Sequence, residues 1–146
     1  MYQDRILQHY RAPHGRGALE GATAEGSRKN PLCGDEFRVS IAVAYTRIRD
    51  VRFEGRGCSI STASASMLTD AVRGADIREA RALIERVDRL LQGDPPGDVA
   101  SLGDLIALAG VAPYPQRVGC ARLPWYALRD ALDACETPAA AQGSLS

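Results

Sequence analysis

Three cysteines lie in three separate glycine-bearing segments, and an aspartate follows the first of them at i+2. The segments are Asn30-Pro31-Leu32-Cys33-Gly34-Asp35, Gly55-Arg56-Gly57-Cys58-Ser59-Ile60-Ser61 and Gln116-Arg117-Val118-Gly119-Cys120-Ala121. Three soft thiolates and one hard carboxylate oxygen make four possible donors, the number a tetrahedral zinc ion takes. No two of these cysteines form a Cys-x-x-Cys pair, which argues against a zinc ribbon and against a thioredoxin-type redox pair. A centre assembled from three distant loops depends on the fold. One of its thiols could then react without the fold coming apart.

Each residue also has a plainer reading. Gly34 allows the sharp backbone that turns Cys33 and Asp35 toward one point, but Asp35 alone could simply end a strand or cap a turn. Cys58 directly precedes a predicted helix, where the positive end of the dipole and unpaired amides favour thiolate. Cys120 is placed shortly before the last predicted helix and would share that advantage. The alternative for each is a small buried hydrophobe. Cys135 falls on the apolar stripe of the last helix and reads as core. His9 and His14, the only two histidines, are far in sequence from the cysteines and read as structural or surface groups rather than ligands. Arg117 lies three residues before Cys120. It is either a solvated charge or a partner for the site, since three thiolates and a carboxylate around Zn²⁺ sum to minus two.

The elements that must position these residues follow from periodicity. Tyr2 to Arg11 reads as a short helix, with Ile6 and Tyr10 four apart and Tyr2 and Leu7 nearby; Pro13, Gly15 and Gly17 stop it. Residues 15–34 read as loop holding at most one weak edge strand. Phe37, Val39, Ile41 and Val43 alternate with polar or small residues over Glu36 to Ala44, and Val51 and Phe53 continue the pattern over Ile48 to Glu54. The short link between them predicts an antiparallel hairpin, although Tyr45-Thr46-Arg47 lacks the Asn-Gly of a tight turn. Ser59 to Arg73 reads as a helix ending at Gly74. Asp76 caps the next, whose stripe is Ile77, Ala80, Leu83, Ile84, Val87, Leu90 and Leu91. Leu102 to Ala109 reads as a short helix closed by Gly110, and Pro113-Tyr114-Pro115 as an extended connector. The last helix is expected to begin near Pro124, a suitable first-turn proline, with Trp125, Leu128, Leu132 and Cys135 as its stripe. The result is an α+β fold, a small antiparallel sheet with helices packed on one face. Residues 1–136 form a single domain and 137–146 a small polar tail that reads as disordered.

Bulk properties narrow the function class. At 146 residues the chain can bury a real core, and its 18 basic residues balance 18 acidic ones. That balance gives no electrostatic reason to expect nucleic acid or an anionic membrane as partner. The longest apolar run, Leu105 to Ala109, is far too short to span a bilayer. Met1-Tyr2-Gln3-Asp4-Arg5-Ile6 shows no basic region leading into an apolar stretch, so no signal peptide is expected. A cytoplasmic address follows, where thiols stay reduced and metal binding or reactivity is a better use of cysteine than disulfides.

At the quoted cysteine segments the sequence resembles the U-type iron–sulfur assembly proteins (IscU/NifU N-terminal-like), most of all the SufU branch of zinc-dependent sulfurtransferases. The resemblance runs from about Tyr2 to Leu132. Further anchors are His9-Tyr10-Arg11-Ala12-Pro13, Gly57 through Ser66, Leu102-Gly103-Asp104, Ala109-Gly110-Val111-Ala112 and Pro115-Gln116-Arg117-Val118-Gly119. It implies a SufE/NifU-like α+β fold with the metal at one end of the sheet. The metal ligands it implies are Cys33, Asp35, Cys58 and Cys120, holding Zn²⁺. It further implies a pyridoxal-phosphate cysteine desulfurase (SufS-type) as sulfur donor, a downstream cluster scaffold as recipient and Cys33 as persulfide acceptor; Arg117 is read, from its charge beside the site, as a catalytic contact with the desulfurase or with the released thiolate. Cys120 is the second candidate for acceptor. IscU scaffolds are similar, but they carry histidine where this chain has Gly119. They also carry a Leu-Pro-Pro-Val-Lys segment where it has Tyr114-Pro115-Gln116-Arg117. The stretch from about Gln92 to Val111 is likewise typical of the SufU branch. Two departures stand out: SufU relatives usually have lysine at the Gly119 position, and Ala22 to Lys29 is more polar than the family's first strand. Thiolates suit zinc and iron–sulfur clusters alike, so a scaffold holding iron or a transient [2Fe–2S] cluster on the same four residues is the alternative, and a purely structural zinc domain a third.

Overall fold

Phe37, Val39 and Ile41 alternate along one strand and face Val51 and Phe53 on the next, all of them fully buried. This is the pairing that period-two patterning requires. In the computed structural model, which describes residues 2–32, 34–95 and 97–145, the elements are α1 (Tyr2–Arg11), β1 (Ala24–Lys29), β2 (Glu36–Ala44) and β3 (Arg47–Arg56), then α2 (Ser59–Val72) and α3 (Ile77–Leu91). Two 3₁₀ segments (Val99–Ser101 and Gly103–Val111) and α4 (Pro115–Leu145) complete the chain. The sheet is antiparallel in the order β1-β2-β3. Helices α2 and α4 pack against it, while Arg38, Arg52 and Glu54 alternate onto the other face. The expected α+β architecture is therefore present.

The β2–β3 turn is Tyr45-Thr46. Tyr45 takes a left-handed conformation (φ 59°) that a non-glycine residue rarely adopts. The Thr46 carbonyl accepts from Ile77 N–H at 2.8 Å, and its hydroxyl donates to Asp76 at 2.8 Å, so the turn is tied to the start of α3. Asp76 caps α3 as expected, in a capping box with Glu79.

Strand β1 has almost no apolar signature, and its place is fixed by packing and charge. A Cβ on Gly26 would lie 2.1 Å from the Ala127 carbonyl oxygen and 2.5 Å from the Ala131 nitrogen, so β1 and α4 touch backbone to backbone. Two residues on, Arg28 donates to Asp130 of α4 through Nε (2.6 Å) and Nη2 (3.0 Å), a forked pair.

Three expectations need correction. On α1, Ile6 and His9 are buried while Tyr10 is exposed, so the inward face is rotated from the expected Ile6–Tyr10 stripe. The segment around Leu105 is a 3₁₀ helix over Gly103–Val111. Its large buried residues Leu105, Leu108 and Val111 recur every third position, the 3₁₀ period, with Ala107 buried beside them. Helix α4 begins at Pro115, not near Pro124. Pro115 is the first-turn proline, and Pro124 lies inside the helix, although proline has no N–H to offer the preceding turn. Buried Ser64 supports the neighbouring turn: its hydroxyl donates to the Ala121 carbonyl at 2.6 Å and accepts from Trp125 Nε1 at 3.0 Å. Helix α4 runs through Leu145.

Gly26→Ala is expected to force β1 off α4 and cost roughly 1–3 kcal/mol, the usual range for overpacking. Urea unfolding of the variant and the parent chain, compared at constant m-value, measures it.

Candidate metal centre

The β2–β3 register sets where the centre lies. Glu36 and Arg56 are cross-strand partners at the end of the hairpin. The residue before one, Asp35, and the residues after the other, Gly57 and Cys58, therefore emerge side by side. The chain then turns directly into α2, with Cys58 as its N-cap (φ −72°, ψ 176°) and the Cys58 sulfur accepting from Ser61 N–H at 3.5 Å. The expected helix N-terminal placement of Cys58 is present.

Asp35 is only 6 % exposed. Its Oδ2 accepts from the Ser61 hydroxyl at 3.0 Å and from the Cys58 backbone N–H at 3.4 Å. The approach to Asp35 is a short loop closed at its neck: Asn30 N–H donates to the Asp35 carbonyl at 2.8 Å and Gly34 N–H to the Asn30 carbonyl at 2.8 Å. The Asn30 side chain accepts from Leu32 N–H at 3.0 Å. Gly34 has φ 78°, a conformation glycine supplies without strain. Cys33, the expected fourth ligand and acceptor, lies outside the described residues.

Cys120 comes from the far side. It sits on the second turn of α4 rather than ahead of the helix, because α4 starts earlier than expected. One ligand atom from each of Asp35, Cys58 and Cys120 lies within 4.8 Å of the others. Segments far apart in sequence thus converge on one point with one buried oxygen and two sulfurs, a donor set suited to a borderline-soft ion such as zinc.

Arg117 is exposed on the first turn of α4, one turn ahead of Cys120 and so on the same side of the helix. Its guanidinium lies over the Tyr114 ring, 5.4 Å from the centroid. Arg117 lines a cleft of about 500 Å³ together with Leu32, Cys58, Ile60 and Cys120. Leu32 is 95 % exposed at the mouth of the centre.

The other candidate residues lie elsewhere. Cys135 packs at the edge of the core, and burial foremost, with Glu136 beside it, pushes its thiol pKa up. His9 is buried, with Nδ1 2.7 Å from the Ser66 hydroxyl and Nε2 2.9 Å from Asp104. His14 is on the surface, 2.6 Å from Asp70. Sequence reasoning missed Ser61 and Gly57. Ser61 stands at the position where a cap contacts a helix backbone, a signal that was available. Gly57 is required by space: a Cβ there would lie 2.2 Å from Ser61 Oγ and 3.0 Å from Asp35 Cγ.

Comparison with known proteins bears on this arrangement. The family model for the NifU-like N-terminal domain matches residues 1–121, a span that includes all four expected ligands. The chain belongs to this family. It is 40 % identical over 128 residues to the zinc-dependent sulfurtransferase SufU of Bacillus subtilis (strain 168), covering 88 % of this chain and 86 % of that protein. It is also 40 % identical over 132 residues to the iron–sulfur cluster assembly scaffold protein IscU of Streptococcus pyogenes serotype M1, covering 90 % and 82 %. The crystal structure of a nitrogen-fixing NifU-like protein (N-terminal) from Brucella abortus superposes with a TM-score of 0.85 at 25 % identity, covering 92 % of this chain and 94 % of that one. The α+β fold of this NifU-like domain and its resemblance to SufU, expected from the sequence, are thus both found.

Two outcomes follow from this geometry. Ser61→Ala removes the hydroxyl donor to Asp35 and, in protein reconstituted with Zn²⁺, should speed loss of the ion to a competing chelator about tenfold; a colorimetric zinc-release assay reads it. In metal-free protein Cys135, whose pKa is raised, should be the slowest of the described cysteines to alkylate, as time-resolved mass spectrometry after iodoacetamide will show.

Proposed function

We propose that this chain is a zinc-dependent sulfur carrier in iron–sulfur cluster assembly, working in the cytoplasm. Identity alone does not choose between carrier and scaffold, since the SufU and IscU relatives above are equally similar. The observation that carries the choice is Gly119. Among the described residues, a Cβ built there would meet nothing closer than Asn30 Nδ2 at 3.8 Å. Glycine places no donor beside Cys120, where IscU scaffolds place a histidine and with it a further nitrogen donor. In this reading Cys33, Asp35, Cys58 and Cys120 hold the metal. Bound zinc supplies one thing, thiolate at neutral pH.

The remaining chemistry belongs to the chain. A pyridoxal-phosphate cysteine desulfurase of the SufS type presents a persulfide on its own cysteine. The Cys33 thiolate attacks the outer sulfur, a new S–S bond forms on Cys33, and the desulfurase cysteine departs as thiolate. Gly34 supports Cys33 in this role, because among the described residues no atom beyond its chain neighbours lies within 4 Å of where its Cβ would be. Arg117, exposed at the rim of the cleft, balances the negative charge gathered there and contacts the partner. The persulfide then passes to a downstream cluster scaffold. The scaffold reading, with iron or a [2Fe–2S] cluster on the same residues, draws its support from the IscU relative.

Three variants test the assignment. Cys33→Ala should abolish stimulation of the desulfurase, and Cys135→Ala should leave it unchanged. Asp35→Ala should remain folded and keep zinc on three thiolates, with water completing the shell. Its stimulation should nevertheless fall at least about tenfold, since the thiolates then bind the metal more strongly and the Cys58 amide and Ser61 hydroxyl lose their acceptor. Zinc content, melting temperature and desulfurase turnover are measured on the same samples. Full stimulation by zinc-loaded Asp35→Ala would reduce Asp35 to a turn residue. Iron and sulfide in place of zinc would move the chain to the scaffold reading.

A further inference from the structure

A second cluster of metal-binding side chains lies away from the thiolate centre. One ligand atom from each of His9, His14 and Asp70 lies within 4.8 Å of the others. They come from three places: α1, the loop after it, and the last part of α2. Asp70 is twelve residues beyond Cys58, so about 18 Å of helix separates the two centres.

The cluster is held by more than chance proximity of surface groups. The His14 backbone is clamped on both sides by α2. Its N–H donates to Ser66 Oγ at 2.8 Å, and its carbonyl accepts from Thr69 Oγ1 at 3.0 Å. These bonds fix the loop where the His14 ring meets Asp70 (2.6 Å) and stands 4.9 Å, centroid to centroid, from the buried His9 ring. His9 itself is oriented through both nitrogens. Nδ1 faces Ser66 on α2, and Asp70 stands one turn further along the same face of that helix. Nε2 faces the Asp104 carboxylate at 2.9 Å.

We propose that His9, His14 and Asp70 form a second site for a divalent first-row metal ion, separate from the thiolate centre. Two imidazoles and one carboxylate are the donor set of a facial three-ligand site, suited to ions that favour nitrogen. His9 Nδ1 exchanges its bond to Ser66 for the metal, while Nε2–H continues to donate to Asp104. That is the carboxylate–histidine–metal arrangement that fixes the tautomer and strengthens the ligand. His14 and Asp70 are exposed, so the remaining coordination positions open to solvent and are filled by water. Two neutral imidazoles and Asp70 leave a divalent ion at net plus one, which Asp104 then balances. This assigns ligand roles to two histidines that the sequence alone marks as structural or surface groups, and it does not depend on what the thiolate centre binds.

The test is equilibrium dialysis of the whole chain against Zn²⁺, above the imidazole pKa range, for the parent, His14→Ala and Asp70→Asn. Asp70→Asn keeps the shape and polarity of the side chain, so it controls for a change in folding. The parent is expected to take up one equivalent more than either variant, or to bind that equivalent at least about tenfold more tightly. Imidazole ¹⁵N spectra of the parent should show the rings of both His9 and His14 shifting as that equivalent binds. Uptake that is the same in all three proteins overturns the proposal. So does a spectrum in which His14 shifts and His9 does not, because the ion would then be held by a lone surface histidine. The comparison is by difference, so it remains readable whatever the thiolate centre holds.

Discussion

The contact between Gly57 and the Asp35–Ser61 pair is the constraint on which the centre depends. Antiparallel register brings the ends of β2 and β3 together at Glu36 and Arg56, and the residues just beyond them have to share one small space. Only a residue without a Cβ fits between Phe37, Ser61 and Asp35. With glycine there, the chain can pass from strand to helix within three residues. Cys58 can then cap α2 while its own amide reaches the Asp35 carboxylate. The sheet core of Phe37, Val39, Val51 and Phe53 holds that register in place, since a slip of one residue would turn the whole buried face to solvent.

Electrostatics explains why this junction suits a metal. Asp35 is a buried carboxylate whose bonds come from one hydroxyl and one long amide contact, with no cationic side chain paired to it among the described residues. Two sulfurs converge on the same point. A buried carboxylate beside two thiolates is costly unless a cation sits among them. A divalent ion bound there would meet that cost. Cys58 stands at the N-terminus of α2, whereas Cys120 lies one turn inside α4.

Much of this was legible in the sequence. Strong period-two alternation over β2 and β3, the Asp76 cap and the stripe of α3 each have one physical interpretation, and the structure follows them. Asp35, Cys58 and Cys120 come together in space, although each has a plainer reading when taken alone. Strand β1 was faint because its determinants are not in its own side-chain pattern: Gly26 and Arg28 matter for what α4 places opposite them. The start of α4 was misplaced because two prolines, Pro115 and Pro124, both fit a first turn, and the choice rests on tertiary support for the inner one through Ser64. The 3₁₀ winding of Gly103–Val111 was hidden because spacings of three and four overlap over so short a stretch. The clamp around His14 was invisible, since Ser66 and Thr69 look like ordinary small residues of a buried helix.

The central claim is that one zinc ion is held by three sulfurs and one oxygen at the junction of β2, α2 and α4. X-ray absorption at the zinc edge of the protein as purified tests it most directly. The account predicts three Zn–S distances of about 2.3 Å and one lighter scatterer at about 2.0–2.2 Å. Two sulfurs with two light scatterers, or an iron edge with a metal–metal distance in place of the zinc signal, would contradict it.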